Sequence, residues 1–344
     1  MTLDACSVHQ PPHYRESAVT VSVLVVNHNG GTYLARCLAA LAAQTVTDFE
    51  ALVLDCASTD DSFAIATGHG DDPRFRFWPL GENAGFARAN NLAAAAARGH
   101  WLALLNPDAF PDPGWLAALL AAAARHPEVG LFGSTQWCED GTLDGGGDNY
   151  HAAGIAWRGG HGLAMNPPAG DYQTFGPCAA AMMVDRRRFL ELGGFDERFF
   201  CYCEDVDFAF RWRLAGGQAI QAAGAEVIHV GGASAGPASA FARYHGLRNS
   251  VWTFVKCMPL PLLWVLTPAH LALLLAMVLR ATIRGHGGVA LRALRDAAAG
   301  LPALWSERKR VQARRNARTN TIAAALTWSP RALLDRRIHR LDQA

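Results

Sequence analysis

The apolar run Trp101–Leu105 has the length of a strand and stops abruptly at Asn106-Pro107-Asp108. Proline continues neither a strand nor a helix, so the chain must turn there and leave Asp108 at the strand's carboxyl end. In open α/β sheets that edge binds ligands, and a carboxylate on it suits a hard divalent cation. The same tripeptide also suits a helix N-cap, so alone it does not decide the matter. The pattern recurs, however. Strand-like runs at 21–26, 49–54 and 75–78 alternate with helical spacing at Leu34, Leu38 and Leu41 and with an Ala-rich helix over 85–98. The first run ends in Asn27-His28-Asn29-Gly30-Gly31, the second in Asp55 with Ser58, Thr59 and Asp60 placed to cap a short helix. Alternating strands and helices predict βαβ units: an α/β, Rossmann-like, mostly parallel sheet flanked by helices.

A helix over 113–125 and a strand over 129–133 extend the series. Residues 135–175 are rich in Gly, Asp and His with little periodicity, which predicts a mobile substrate-covering loop, a disordered segment or a plain insertion. Beyond it come a strand (179–184), a helix (186–192), a turn (193–197) and a helix (204–215) opening with Glu204, Asp205 and Asp207. Those acids can complement the helix dipole or do chemistry. A last strand over 227–230 carries His229 into Gly231-Gly232-Ala233-Ser234. Asp55, Asp108 and His229 thus sit at strand ends with Glu204-Asp205 beside them, and one pocket can hold them all. A nucleotide diphosphate site needs a metal with only one or two protein ligands, because phosphate oxygens complete its shell.

A net charge of +1 gives no reason to expect nucleic acid. The cysteines form no CxxC pair or regular framework, which predicts reduced thiols of a cytosolic protein. Residues 1–18 lack an apolar signal region and read as a flexible tail, with a catalytic domain over 19–240 and a helical region over 241–344. Residues 258–279 contain no Asp, Glu, Lys or Arg, long enough to cross a bilayer, but Pro259, Pro261, Pro268 and His270 interrupt them. Arg280, Arg284, Arg292, Arg295 and the Arg308-Lys309-Arg310 cluster follow. An anionic membrane surface, a true span and a hairpin packed on the catalytic domain all suit this composition, the surface best.

Seven phrases in order, VSVLVVNHNG, VLDCASTDDS, ENAGFARANN, LALLNPDA, GGFDERFF, CEDVDFAFRWRLAGG and HVGGAS, resemble the glycosyltransferase family 2 enzymes and, within them, the bacterial rhamnosyltransferase-like group. The resemblance implies a GT-A fold and inverting transfer from a nucleotide-activated sugar. It implies that Asn27 and Asn29 border the nucleoside, that Asp55 accepts the imide N–H of a pyrimidine, and that Asn83, Gly85 and Asn90 lie against the nucleotide. Asn106-Pro107-Asp108 matches the family's DxD element with Asn in first place; one charge fewer implies metal held mainly with donor present. Asp108 and His229 would ligate Mg²⁺ or Mn²⁺. Asp205 resembles the catalytic base with Glu204 as runner-up, since adjacent helical residues point about 100° apart and cannot face the acceptor equally. Arg211 and Arg213 would approach phosphate or, the better reading, pair with the acids. Gly176, Pro177 and the turn holding Asp196 would border the acceptor, with Trp137 and Trp157 able to stack on a sugar.

The resulting expectation is a metal-dependent enzyme at the cytoplasmic membrane face, moving rhamnose from dTDP-rhamnose to a glycan or polyprenyl-linked acceptor in cell-envelope polysaccharide synthesis. A processive polysaccharide synthase would carry QxxRW where this chain has Arg243-Tyr244-His245-Gly246-Leu247-Arg248-Asn249. A non-catalytic nucleotide-sugar-binding scaffold is the rival from another class. A nucleotidyltransferase would need a lysine in the first glycine-rich loop, which Asn27 to Gly31 lacks.

Overall fold

The strand Val21–Asn27 (β1) is buried along its whole length because helices cover both of its faces. The computed structural model describes residues 19–231 and 239–343. The first half alternates as expected: helix Gly31–Ala42 (α1), strand Phe49–Asp55 (β2), helix Ser62–Thr67 (α2), strand Phe75–Pro79 (β3), helix Gly85–Ala96 (α3) and strand Trp101–Leu105 (β4). Strand Ala109–Pro111 (β5) and helix Trp115–Arg125 (α4) follow. β1 pairs in parallel with β2 and with β4, and β2 with β3, so Asn27, Asp55 and Asn106 finish at one edge of the sheet. Successive side chains of β1 enter opposite cores. Val21, Val23 and Val25 pack with Leu34, Leu38 and Leu41 of α1 and Leu119 of α4. Leu24 and Val26 pack with Ala89 and Ala93 of α3 and with Phe208 and Trp212 further along the chain. Full burial of each Val or Leu contributes roughly 1.5–3 kcal/mol, enough to fix which face each residue takes.

Of the alternatives for residues 135–175, the insertion holds and the mobile loop does not: the segment is folded. Strands Leu131–Trp137 (β6), Leu143–Gly145 (β7), Asp148–His151 (β8), Ile155–Arg158 (β9) and Tyr172–Thr174 (β10) occupy it, and β8 is buried throughout. Its strands are too short, and its buried positions too often polar, to register as periodic. Tyr150 and Phe175 supply the burial, stacked on each other with Phe210 against their edges. Strand Ala181–Asp185 (β11) then enters antiparallel between β4 and β6. Helices Arg186–Glu191 (α5) and Glu204–Leu214 (α6) lead to strand Ala219–His229 (β12). β12 begins earlier than 227 because its alanine-rich first half lacks the β-branched signature of a strand. It runs parallel to β6 and antiparallel to β5 and β10. Among the described residues, ten strands make one mixed, mostly parallel sheet in the order β10-β12-β6-β11-β4-β1-β2-β3, with β5 on β12 and β7 on β6.

The C-terminal region is helical: Ala240–Cys257 (α7), Leu260–Ile283 (α8), Gly287–Ala313 (α9), Thr319–Ala325 (α10) and Ala332–Asp335 (α11). α8 keeps Pro268 within it and is long and apolar enough to cross a membrane. One face packs on the body: Leu263 and Leu266 join Tyr150, Phe175 and Phe254 in a shared core, and Leu274 joins Trp252 and Ala293. The tail over 1–18 and positions 232–234 of the glycine loop after His229 lie outside the described residues.

Candidate active site

At the carboxyl ends of β1 and β4 opens a cavity of about 790 Å³, and it gathers Asn83, Gly85, Asn106, Asp108, Glu204, Asp205 and His229. Its floor is set by β4. The Asn106 amide N–H donates to the carbonyl of Ala180 at 2.9 Å, and the Ala109 N–H to the carbonyl of Asn106 at 3.0 Å, closing the turn that presents buried Asp108. Pairing of β12 with β5 sets His229 opposite Ala109, which brings its Nε2 to 3.4 Å from Asp108 Oδ1 and from Asn106 Nδ2.

Behind His229 lies Asp144, which sequence reasoning did not single out. Its Oδ2 is 2.8 Å from His229 Nδ1 and also receives Arg158, while His161 reaches its other oxygen. Burial works to raise the Asp144 carboxyl, but bonds from His161 and His229 and the charge of Arg158 hold it well below the usual range. Burial likewise works against the His229 imidazolium, yet Asp108 and Asp144 raise it. Among the described residues no group of three or more His, Cys, Asp or Glu is arranged to hold a metal. The donor set fits a cation that takes its remaining oxygens from a diphosphate. Asp108 gives a carboxylate, His229 an imidazole nitrogen, and Asp144 fixes the ring from behind as a metal-bound histidine requires.

Asp205 sits at the start of α6 with both oxygens engaged by backbone. Oδ2 accepts from the Ala179 N–H at 3.0 Å and Oδ1 from the Val206 N–H at 2.8 Å. Glu204 is buried with Oε2 lacking a partner, and its carboxyl is pushed well up by burial and by the charge of Asp205. The approach to α6 is strained: Phe200, Tyr202 and Cys203 all have positive φ, at 65°, 70° and 64°, and all line the cavity. Asn249 of α7, wholly buried, holds that stretch, its Nδ2 lying 3.0, 3.0 and 2.7 Å from the carbonyls of Phe199, Cys201 and Tyr202. Strain concentrated at a cavity wall is a sign of function rather than of folding alone. Gly85, at φ +73°, meets the Phe200 ring so closely that any Cβ would fall 2.5 Å from it. Burial pushes the Cys178, Cys201 and Cys203 thiols well up, so none offers a thiolate nucleophile.

Other expected site residues, Trp157 apart, stand outside the cavity. Asn27 donates to Asp55 Oδ1 at 2.9 Å, and Ser58 bonds both Asp55 oxygens through its Oγ and N–H. Three bonds to a carboxylate leave one lone-pair direction on Oδ2 for a further donor. Asn29 accepts from the Thr59 N–H and so ties the first two strand-end loops together. Asn90 donates to the Phe86 carbonyl within its own helix. Trp137 Nε1 bonds Glu226, and the Gly176 carbonyl receives the Asp148 N–H. Asp196 pairs with Arg198 and with buried Lys256, both at 2.6 Å, and lines a separate cavity of about 460 Å³ against α9. Trp157 borders the main cavity but pairs in register with Asn149, which sets its ring on the hairpin face opposite Asp148 and Arg158, near His151. Arg211 pairs with Asp207 at 2.8 Å, the use preferred from sequence, whereas Arg213 donates to the carbonyls of Phe175 and Thr174 rather than to an acid.

Asp148 and Arg158 in the cavity wall and Asp144 behind His229, all from the insertion, are groups that sequence reasoning missed. One signal was present: Arg158 is the single Arg or Lys between Arg125 and Arg186, among seven acids.

Residues 22–190 match the family model described as glycosyl transferase family 2. The chain is 31% identical over 304 residues to the N-acetylglucosaminyl-diphospho-decaprenol L-rhamnosyltransferase of Mycobacterium tuberculosis, covering 76% of this chain and 94% of that one. It is 31% identical over 219 residues to the O-antigen biosynthesis protein RfbC of Myxococcus xanthus, covering 61% of this chain and 17% of that protein. Two solved structures share the fold. GalNAc-T7 with UDP, GalNAc and Mn²⁺ superposes with a TM-score of 0.56 at 17% identity, over 71% of this chain and 49% of its own. The mannosyltransferase PcManGT of Pyrobaculum calidifontis with GDP-Man and Mn²⁺ superposes with a TM-score of 0.53 at 19% identity, over 87% and 86%.

Proposed function

The chain belongs to glycosyltransferase family 2, in its rhamnosyltransferase-like group, and from that premise we propose inverting, metal-dependent transfer of rhamnose from dTDP-rhamnose to a polyprenyl-diphosphate-linked N-acetylglucosamine. The reaction would serve cell-envelope polysaccharide synthesis at the cytoplasmic face of the membrane. The observation that carries this reading is a single cavity lined by Asp108, His229 and Asp205, with the last held by two backbone N–H groups.

Asp205 would accept the proton of the attacking acceptor hydroxyl while that oxygen bonds the anomeric carbon and the bond to the diphosphate breaks. A base held from both sides loses little entropy in reaching the hydroxyl. Asp108 and His229 Nε2 would hold Mg²⁺ or Mn²⁺, which when bound supplies Lewis-acid stabilisation of the leaving diphosphate. Asp144 would keep the His229 ring oriented. Asn83, whose Oδ1 receives the Gly85 N–H at 3.1 Å, would border the nucleotide, and Asp55 would use its remaining lone pair on the pyrimidine imide.

The test is transfer from dTDP-rhamnose to a short-chain N-acetylglucosaminyl-diphospho-prenol in the presence of Mn²⁺. Asp205→Asn is expected to lower kcat by about 10²-fold or more, as loss of a general base does, while thermal stabilisation by dTDP and Mn²⁺ persists. A scaffold that binds nucleotide sugar without turnover would instead be indifferent to the substitution, and that result would end the enzymatic reading.

A further inference from the structure

The insertion hairpin places a second carboxyl beside Asp205. Asp148, at the start of β8, is 5% exposed and lines the cavity, and its Oδ1 has no hydrogen-bond partner among the described residues. Glu204 Oε2 is in the same condition, also on a side chain 5% exposed and lining the same cavity. Asp148 and Asp205 hang from one short segment: the Gly176 carbonyl accepts from the Asp148 N–H at 2.7 Å, and the Ala179 N–H donates to Asp205 at 3.0 Å. Glu204 precedes Asp205 on α6. Asp205 is thereby flanked by two buried carboxyls, each with an oxygen that the fold leaves unfilled.

Leaving a buried polar oxygen without a partner costs stability, so two around one residue need a reason. We infer that Asp148 and Glu204 form the acceptor subsite, hydrogen-bonding ring hydroxyl or amide groups of the sugar whose attacking hydroxyl faces Asp205. This deepens the proposed function and rests on it. The groups the proposed function gives to the donor, Asn83, Asp108 and His229, come from the turns after β3 and β4 and from the end of β12, whereas Asp148 comes from the insertion and Glu204 from the start of α6, next to Asp205. Burial, and then the charge of Asp205, pushes both carboxyls well above the ordinary range, towards the neutral form. A neutral carboxyl both donates and accepts, which suits a hydroxylated ligand better than a cation.

Steady-state kinetics with dTDP-rhamnose and the short-chain acceptor of the transfer assay above, varying each substrate in turn, test the assignment. Asp148→Leu and Glu204→Leu are each expected to raise the acceptor KM about tenfold, with the donor KM within about twofold of the parent. Asp148→Asn and Glu204→Gln, which keep a donor and an acceptor, should restore most of the loss. Stabilisation by dTDP and Mn²⁺ reports that each variant is folded, and Asp148→Ala replaces Asp148→Leu should the latter fail to fold. The leucine variants should melt no lower than the parent, because each removes a buried oxygen with no partner. Leucine variants with an unchanged acceptor KM, or with kcat lost at constant KM, overturn the subsite while leaving the enzyme reading intact. Absence of transfer and of nucleotide binding in the parent protein overturns both.

Discussion

His245 shows how one side chain can report on the cavity from outside its chemistry. It lies on α7 with its ring 4.4 Å from the Phe241 centroid and 5.7 Å from that of Phe200, and Arg248 Nη2 donates to its Nδ1 at 3.2 Å. Burial, then the Arg248 charge, pushes its pKa down to about 4. The unfolded chain takes up a proton near pH 6.5, the folded one only near 4, so stability is full above the first value and falls as pH drops towards the second. His245→Gln should flatten the Tm profile between pH 7 and 4.5, recovering about 1–2 kcal/mol at the acid end; parallel profiles for the two proteins would show that this imidazole does not carry the acid sensitivity. At this scale the sequence was legible where a polar side chain falls at the end of a strand or the start of a helix. Asp108, His229 and Asp205 were visible because a proline turn, a glycine loop and an acidic helix start mark them. Asp144, Asp148 and Arg158 were not, because an aspartate in a glycine-rich stretch reads as a turn residue. Only the pairing of β7 with β6 and the packing of Tyr150 against Phe175 and Phe210 reveal that theirs are strands. Asp196 misled for the converse reason: its turn motif says nothing of Lys256, sixty positions on, which claims its carboxylate.

At the scale of elements, the front half of the fold could be read almost to its boundaries, since parallel strands buried on both faces write themselves as unbroken apolar runs. The insertion could not, since its strands of three or four residues carry polar side chains into buried positions. α7 was legible as a helix but not as part of the site. Its Asn249 holds the stretch of positive φ through Tyr202 and Cys203, and Arg248 Nη2 reaches the carbonyls of Arg198 and Phe199 at 3.1 and 3.0 Å. The segment that distinguishes this chain from a QxxRW synthase is thus a brace for the wall ahead of Asp205. Each non-glycine residue held at positive φ costs on the order of 1 kcal/mol, which the brace must offset. Asn249→Ala should therefore let the stretch relax and move Asp205, lowering kcat about tenfold or more with nucleotide affinity little changed. The transfer assay reads the first and a dTDP–Mn²⁺ thermal shift the second. Full kcat in a folded Asn249→Ala protein would mean that the strained loop holds itself.

For the whole molecule, the exposed apolar face of α8 bears on where the enzyme would meet a lipid-linked acceptor. Only 22% of its most apolar window is buried, and Trp264, Val265, Leu271, Leu275 and Ile283 are exposed, unlike the core helix of a soluble domain. A spanning helix, however, needs lipid around its middle. Near the middle of α8, His270 is buried, stacked on Phe254 at 4.0 Å and 2.8 Å from the Ala153 carbonyl at the turn of the β8–β9 hairpin. A bilayer crossing would carry that hairpin, and Asp148 and Arg158 with it, into hydrocarbon. The arrangement is satisfied if α8 lies in the interface with its outer face in the acyl boundary and the following arginines among anionic headgroups. A lipid-linked sugar would then enter the cavity sideways from the surface on which the enzyme rests. Trp264→Asp with Val265→Asp should weaken binding to phosphatidylglycerol-containing vesicles by about tenfold or more, and raised salt should weaken the parent's binding further. Transfer to the short-chain, water-soluble acceptor should be spared, since neither side chain touches the cavity. Equal vesicle binding by parent and variant would show that another surface faces the membrane, and a collapse in Tm would show that the outer face of α8 is packed by protein.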